Sequence, residues 1–291
     1  MHNNSECGAG LREGAYEENP MTRAVWWRGP AGRSALAGLA LAAMAAGGAR
    51  AQEEGRAETA WTELRASVTG ERPIRDGAGV LSLEAPKRAE DAAIVPVTVR
   101  ITLPEGDARA VKALTLVVDE NPAPVVGTFT FPTAQRHFDL STRIRVNSYS
   151  YVRAIAETQD GALYMTKAYV KAAGGCSAPA VKDPAEAKAN LGKMRFRAFA
   201  DRGEAQVQVR HPNNSGLQMD QVTRLYTPAW FVESLSVRQG DTPLFSMTGG
   251  ISVSEDPTFR FSFAGNGEPV TVAAKDTDGN TFTQTFPASG S

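Results

Sequence analysis

The stretch His137-Phe138-Asp139-Leu140-Ser141-Thr142-Arg143-Ile144-Arg145-Val146 puts Phe138, Leu140, Thr142, Ile144 and Val146 at every second position. His137, Asp139, Ser141, Arg143 and Arg145 fall between them. A side-chain period of two sends the two sets to opposite faces of a strand, one packed and one wet. The same alternation runs outward in both directions. Upstream, Val95, Val97, Val99, Ile101 and Leu103 repeat it, and further runs cover Leu114–Val118, Val125–Phe131, Tyr151–Glu157 and Leu163–Val170. Asp160-Gly161 between the last two reads as a hairpin turn, since Gly accepts the positive φ that such turns need. The pattern stops at Gly174 and resumes over Met194–Ala200, Ala205–Val209, Phe231–Val237, Phe259–Phe263, Val270–Ala274 and Thr281–Phe286, with a second hairpin turn at Asp278-Gly279.

Short strands at regular spacing in both halves predict an all-β chain of two immunoglobulin-like antiparallel β-sandwiches in tandem. A single closed barrel would use similar strands, and the polar break over 174–193 favours two domains. Two helices are expected. Trp61, Leu64 and Val68, spaced i, i+3, i+7, give one apolar stripe near the start of the mature chain. Asp183, Pro184, Glu186 and Gly192 supply a cap, a first-turn proline, a reciprocal acid and a stop, which predicts a short spacer helix over 184–191.

The chain has 291 residues, a formal net charge of −1 and a pI near 6.4, which argues against a nucleic-acid binder. Arg23, Arg28 and Arg33 precede an apolar run from Ala35 to Ala46 and then Ala49-Arg50-Ala51. This reads as a signal peptide over 1–51, cleaved after Ala51, and hence export to the periplasm with no membrane attachment afterwards. The apolar run is short of the ~20 residues a spanning helix needs, which disfavours a retained anchor. Residues 1–20 are polar, and Met21 is an alternative start.

Export changes the cysteine arithmetic. The chain has 2 Cys, and Cys7 leaves with the leader, so Cys176 is left alone in an oxidising compartment. It must pair between molecules, stay buried and inert, or be kept reactive. Its setting, Gly174-Gly175-Cys176-Ser177-Ala178-Pro179, has no apolar neighbours at strand spacing, and two glycines loosen the backbone. An exposed functional thiol is the favoured reading, with a disulfide-linked homodimer through Cys176 second. Gly174, Gly175 and Ser177 form the flexible arm around it.

No other chemistry stands out. His137 and His211 fall in different halves without a nucleophile elbow, and His211-Pro212 suits a loop with turn hydrogen bonds. Asp276-Thr277-Asp278-Gly279-Asn280 lacks the distant acid of a calcium loop and fits a hairpin. Gly249-Gly250 precedes a strand, not a helix, so it is no phosphate cradle. Phe259, Phe261 and Phe263 are at strand spacing and belong in a core. No catalytic residue, metal site or cofactor is expected. A free thiol ionises near pH ~8.5, and no base stands close by in sequence, so the cysteine suits a carrier better than a catalyst.

These residues resemble the SoxY and SoxZ sulfur-carrier subunits of sulfur oxidation, fused in one chain. In the SoxY-like part, 52–176, the similarity lies in Ala92–Val97, Asp119-Glu120-Asn121-Pro122-Ala123-Pro124, Arg143–Val146, Ala154–Glu157 and Gly174-Gly175-Cys176. After a linker over 177–192, the SoxZ-like part, 193–291, carries His211-Pro212, Gly216, Thr227–Val232 and Ser254–Phe263. The resemblance implies covalent attachment of thiosulfate-derived or persulfide sulfur at Cys176, for oxidation by partner enzymes of the periplasm. Two departures stand out. The motif continues as Ser177-Ala178 into a second domain, where SoxY ends freely after Gly-Gly-Cys-Gly-Gly. His211–Gly216 also lacks residues often found in the SoxZ loop. Fused carriers also resemble a group associated with PQQ-dependent quinoprotein dehydrogenases, so a non-covalent accessory role in such a system is the alternative.

Overall fold

The computed structural model describes residues 55, 58–179, 184–220 and 223–288. The expected leader with Cys7 and Met21, and Asp183, the expected cap, lie outside the described residues. After a helix α1 over 58–69, the first half runs β1 (Ile74–Asp76), β2 (Leu81–Glu84), β3 (Val95–Thr102), β4 (Val111–Val118), β5 (Val125–Gln135), β6 (His137–Ile144), β7 (Ser150–Thr158) and β8 (Leu163–Val170). The second half follows as α2 (Pro184–Ala189), β9 (Met194–Phe199), β10 (Glu204–Val209), β11 (Val232–Gln239), β12 (Thr242–Gly249), β13 (Thr258–Ser262), β14 (Val270–Asp276) and β15 (Thr281–Phe286).

Both halves are sandwiches, as the alternation predicts. In β3 and β6 the odd and even positions separate into buried and wetter faces along the whole strand. The Asp160-Gly161 and Asp278-Gly279 turns join β7 to β8 and β14 to β15, and all three of Phe259, Phe261 and Phe263 are buried. The stripe on α1 is also found: Trp61, Leu64 and Val68 pack against Val117, Ile155 and Leu163 on the outer face of the larger sheet.

Three strands escaped the sequence analysis: β1, β2 and β12. The last matters most. Gly249 closes β12 instead of preceding a strand, and β12 pairs antiparallel with β5, aligning Met247 with Phe129. On the opposite layer β13 pairs with β6, aligning Phe261 with Leu140. The edges of the two sandwiches are therefore joined. The result is a nine-stranded sheet, β1-β8-β7-β4-β5-β12-β11-β14-β15, facing a six-stranded one, β2-β3-β6-β13-β10-β9. Pairing these edges satisfies backbone groups that would otherwise stay open to a foreign strand. Between the layers, Phe129 meets Phe259 edge-on at 5.8 Å and Phe138 meets Phe245 at 6.2 Å, so one apolar core crosses the seam.

Candidate functional site

The Gly-Gly-Cys segment lies at one end of this seam. Beyond β6 the chain continues as Arg145, Val146 and Asn147, and residues 174–176 run alongside it. Gly174 N–H donates to the Asn147 carbonyl (2.8 Å) and Gly175 N–H to the Val146 carbonyl (3.0 Å). Gly174 has φ +80, open only to residues without a side-chain penalty. Gly175 is a close-approach glycine, because a Cβ there would sit 2.0 Å from the Ala92 carbonyl oxygen. The second half closes the other side. The Ser215 hydroxyl donates to the Cys176 carbonyl, and Arg145 Nη1 donates to the Gly175 carbonyl at 3.1 Å.

The expectation of an exposed thiol on a flexible arm is thereby corrected. Cys176 has 0% exposure and its segment is pinned from both sides, and exposure begins only with Ser177 beyond it. The reason is non-local: the 211–218 loop of the second half folds over a segment whose own residues carry no burial signal. Burial also pushes the thiol up to about 11, and the Arg145 charge offsets only part of that. Held this way, the sulfur is a neutral thiol at neutral pH and a poor nucleophile. A disulfide-linked homodimer through Cys176 is out of reach while the segment is docked, since no second molecule can touch a fully covered sulfur.

Sequence reasoning missed the residues that cover it. Arg145 falls on the polar face of the β6 alternation and was expected in water, yet it is 2% exposed. It lies one residue past the strand, where its N–H bonds the Ser252 carbonyl (2.8 Å) and the second half closes over it. Its Nη2 donates to the Asn213 carbonyl (3.2 Å), and burial lowers its pKa. Asn121, in the Asn-Pro-Ala-Pro turn, ties both halves together, donating to the Arg145 carbonyl (2.8 Å) and to Ser252 Oγ (2.9 Å).

His211 holds the covering loop. Its Nδ1 accepts from Asn213 N–H (3.0 Å), the turn hydrogen bond expected of it, and its ring stands edge-on to Trp230 at 4.9 Å. Burial lowers its pKa, although Asp276 at 3.4 Å works the other way. Asp276 also takes the Trp230 indole N–H (2.8 Å) and the Asn280 amide (2.8 Å); burial alone would raise its pKa, but these bonds bring it below the ordinary value. That places the Asp276–Asn280 turn in hairpin and loop support, and His137 is exposed on its strand. Among the described residues no group of His, Cys, Asp and Glu is placed to hold a metal ion. No helix among them is long and apolar enough to cross a membrane.

Among solved structures the chain is similar to the sulfur carrier protein SoxY from Chlorobium limicola f thiosulfatophilum, at 23% identity over 42% of this chain and 98% of that one (TM-score 0.35). A superoxide reductase (neelaredoxin) from Ignicoccus hospitalis is also similar, at 17% identity over 32% of this chain and 79% of that one (TM-score 0.27). A β-glycosidase from Bacteroides vulgatus is similar at 9% identity over 75% of this chain and 25% of that one (TM-score 0.23). No curated protein sequence matches. Family profiles divide the chain at the break seen in its sequence. The profile described as sulfur oxidation protein SoxY matches residues 65–176, ending on Cys176, and that described as sulphur oxidation protein SoxZ matches 194–287. The chain therefore belongs to the sulfur-oxidation carrier families as a SoxY domain and a SoxZ domain fused in one polypeptide.

Proposed function

We propose that this protein carries sulfur covalently on Cys176 and presents it to partner sulfur-oxidising enzymes of the periplasm, without catalysing a reaction itself. The observation that carries this reading is that the SoxY match runs to, and ends on, the sole cysteine outside the leader. The two glycines before it support the reading further, because they allow the segment to leave its seat without strain. Carriage on this chain then has two states. In the docked state the thiol is covered and neutral; in the released state it is an ordinary cysteine that a partner can grasp.

The experiment is native loading with tetrathionate. A Cys176 thiolate attacks an inner sulfur, forming a new S–S bond and releasing thiosulfate, so the protein gains one thiosulfonate group. Intact mass should show one adduct on the native chain and none on Cys176→Ser. An unmodified native chain after prolonged incubation refutes the proposal. The covered thiol favours a second reading, a non-covalent accessory module for a PQQ-dependent dehydrogenase system. Under that reading Cys176→Ser leaves the partner's activity unchanged, whereas under the first it abolishes sulfur oxidation.

A further inference from the structure

Among the described residues two arginines are almost completely buried, and the fold treats them differently. Arg153, 1% exposed, is clasped by both oxygens of the buried Asp119 (Nε at 2.9 Å to each) and reaches Glu58 at 3.2 Å. Arg145, 2% exposed, has no carboxylate within ion-pair distance among the described residues. Its two terminal nitrogens go to the Gly175 and Asn213 carbonyls, and its Nε finds no acceptor among the described residues. Carbonyls satisfy donors, but they do not neutralise a charge, and an uncompensated buried cation is costly.

A second orphan lies across the seam. Gln218, 3% exposed, accepts from Ser215 N–H through Oε1 at 3.0 Å, while its buried Nε2 has no acceptor among the described residues. Ser215 is the residue whose hydroxyl bonds the Cys176 carbonyl. Arg145, in the SoxY domain, bonds the carbonyl of the residue before Cys176, and Gln218, in the SoxZ domain, is linked to the Cys176 carbonyl through Ser215. The Arg145 charge also acts on the Cys176 sulfur directly. With a neutral thiol in the seat, neither donor is matched.

We propose that Arg145 and Gln218 form an anion-holding site, shared between the two domains, for a compact anionic sulfur adduct docked on Cys176, namely a persulfide. The inference rests on the carrier reading and deepens it. A persulfide is more acidic than a thiol because its outer sulfur is bonded to sulfur, so it is an anion at neutral pH. It extends the side chain by one atom, which suits a closely packed seat. The SoxZ domain is then one wall of the cargo site as well as a scaffold.

The test uses the full chain. Cys176 is loaded natively at pH 9 over hours with tetrasulfide. The thiolate bonds one sulfur, one S–S bond of the tetrasulfide breaks, and its electron pair leaves on trisulfide. The persulfide is then titrated by its near-ultraviolet absorbance. An opposite charge within about 4–6 Å lowers an acid's pKa by roughly 1–3 units. The acid constant of the native adduct should therefore be at least about tenfold greater than in the Arg145→Met chain and than in Gln218→Glu. Gln218→Glu keeps the acceptor for Ser215 N–H while replacing the donor with a negative charge, so it carries the test if Arg145→Met does not fold. The other charged or titratable groups near the seat, Asp91, Glu255 and His211, are common to every variant. Equal persulfide pKa values in the native and variant chains overturn the shared site and leave the carrier reading standing. Failure of the native chain to take up any sulfur overturns both.

Discussion

Replacing Gly175 with alanine should release Cys176 without unfolding the sheets. The new Cβ would lie 2.0 Å from the Ala92 carbonyl oxygen and 2.6 Å from that of Val146. Both are backbone atoms of a packed core, so neither can swing aside, and overpacking of this kind costs about 1–3 kcal/mol. Against it stand four hydrogen bonds that seat the segment: Gly174 to Asn147, Gly175 to Val146, Arg145 to Gly175, and Ser215 to Cys176. At roughly 0.5–1.5 kcal/mol each, they hold the docked state by roughly 2–6 kcal/mol, so the native segment is open only a small fraction of the time. The substitution should raise that fraction roughly 5- to 150-fold, since each ~1.4 kcal/mol is a factor of ten. The assay is alkylation of Cys176 by iodoacetamide at pH 7.5, followed by intact mass, with far-ultraviolet circular dichroism to confirm that the sheets persist. A native chain that labels as fast as an unfolded one refutes the docked seat. So does a Gly175→Ala chain that labels no faster than native.

The thiol should also report its seat through pH. The docked sulfur ionises at about 11 in place of 9.0, so docking favours the protonated form. The thiol's contribution to docking is constant below pH 9 and weakens as pH rises from there toward 11, by about 1.4 kcal/mol per unit. The alkylation rate should therefore keep rising about tenfold per unit through pH 10, where a freely exposed cysteine levels off; a plateau near pH 9 contradicts the seat. Air oxidation followed by a non-reducing gel should leave the native chain monomeric and give a cross-linked dimer for Gly175→Ala, and a native dimer would show the sulfur to be accessible. Within the SoxY domain, Asp119→Asn removes the partner of a guanidinium that also stacks on Trp61 at 4.5 Å. Glu58 remains within reach, so the loss in urea unfolding should be near 3 kcal/mol, the low end for a broken buried pair; a change below 1 kcal/mol would mean that Asp119 is not what compensates the buried Arg153 charge.

The all-β architecture and its break near residue 174 were legible because strand alternation is local. Phe138, Leu140 and Ile144 declare their buried face whatever they pack against, and turn glycines such as Gly161 and Gly279 mark the hairpins. The helical stripe of Trp61, Leu64 and Val68 was legible for the same reason. Strand β12 was not, because Pro243 is its second residue and only Phe245 and Met247 among its residues are buried. That omission hid the joining of the two sandwiches, which rests on β12 reaching β5.

Cys176, the residue proposed to carry sulfur, was singled out from the sequence alone, since a lone cysteine in a chain read as exported requires an explanation and the glycines beside it point to backbone freedom. Its surroundings were beyond the sequence. Arg145, Ser215 and Gln218 are separated from it by 30 or more positions along the chain, and polar residues give no periodic signal of burial. Residue order and side-chain pattern determined the strands, the turns and the identity of the sulfur. Only the tertiary structure decided that this sulfur is covered, because covering it took a loop from the second domain closing over a segment of the first, a contact between distant parts of the chain that neither part encodes by itself.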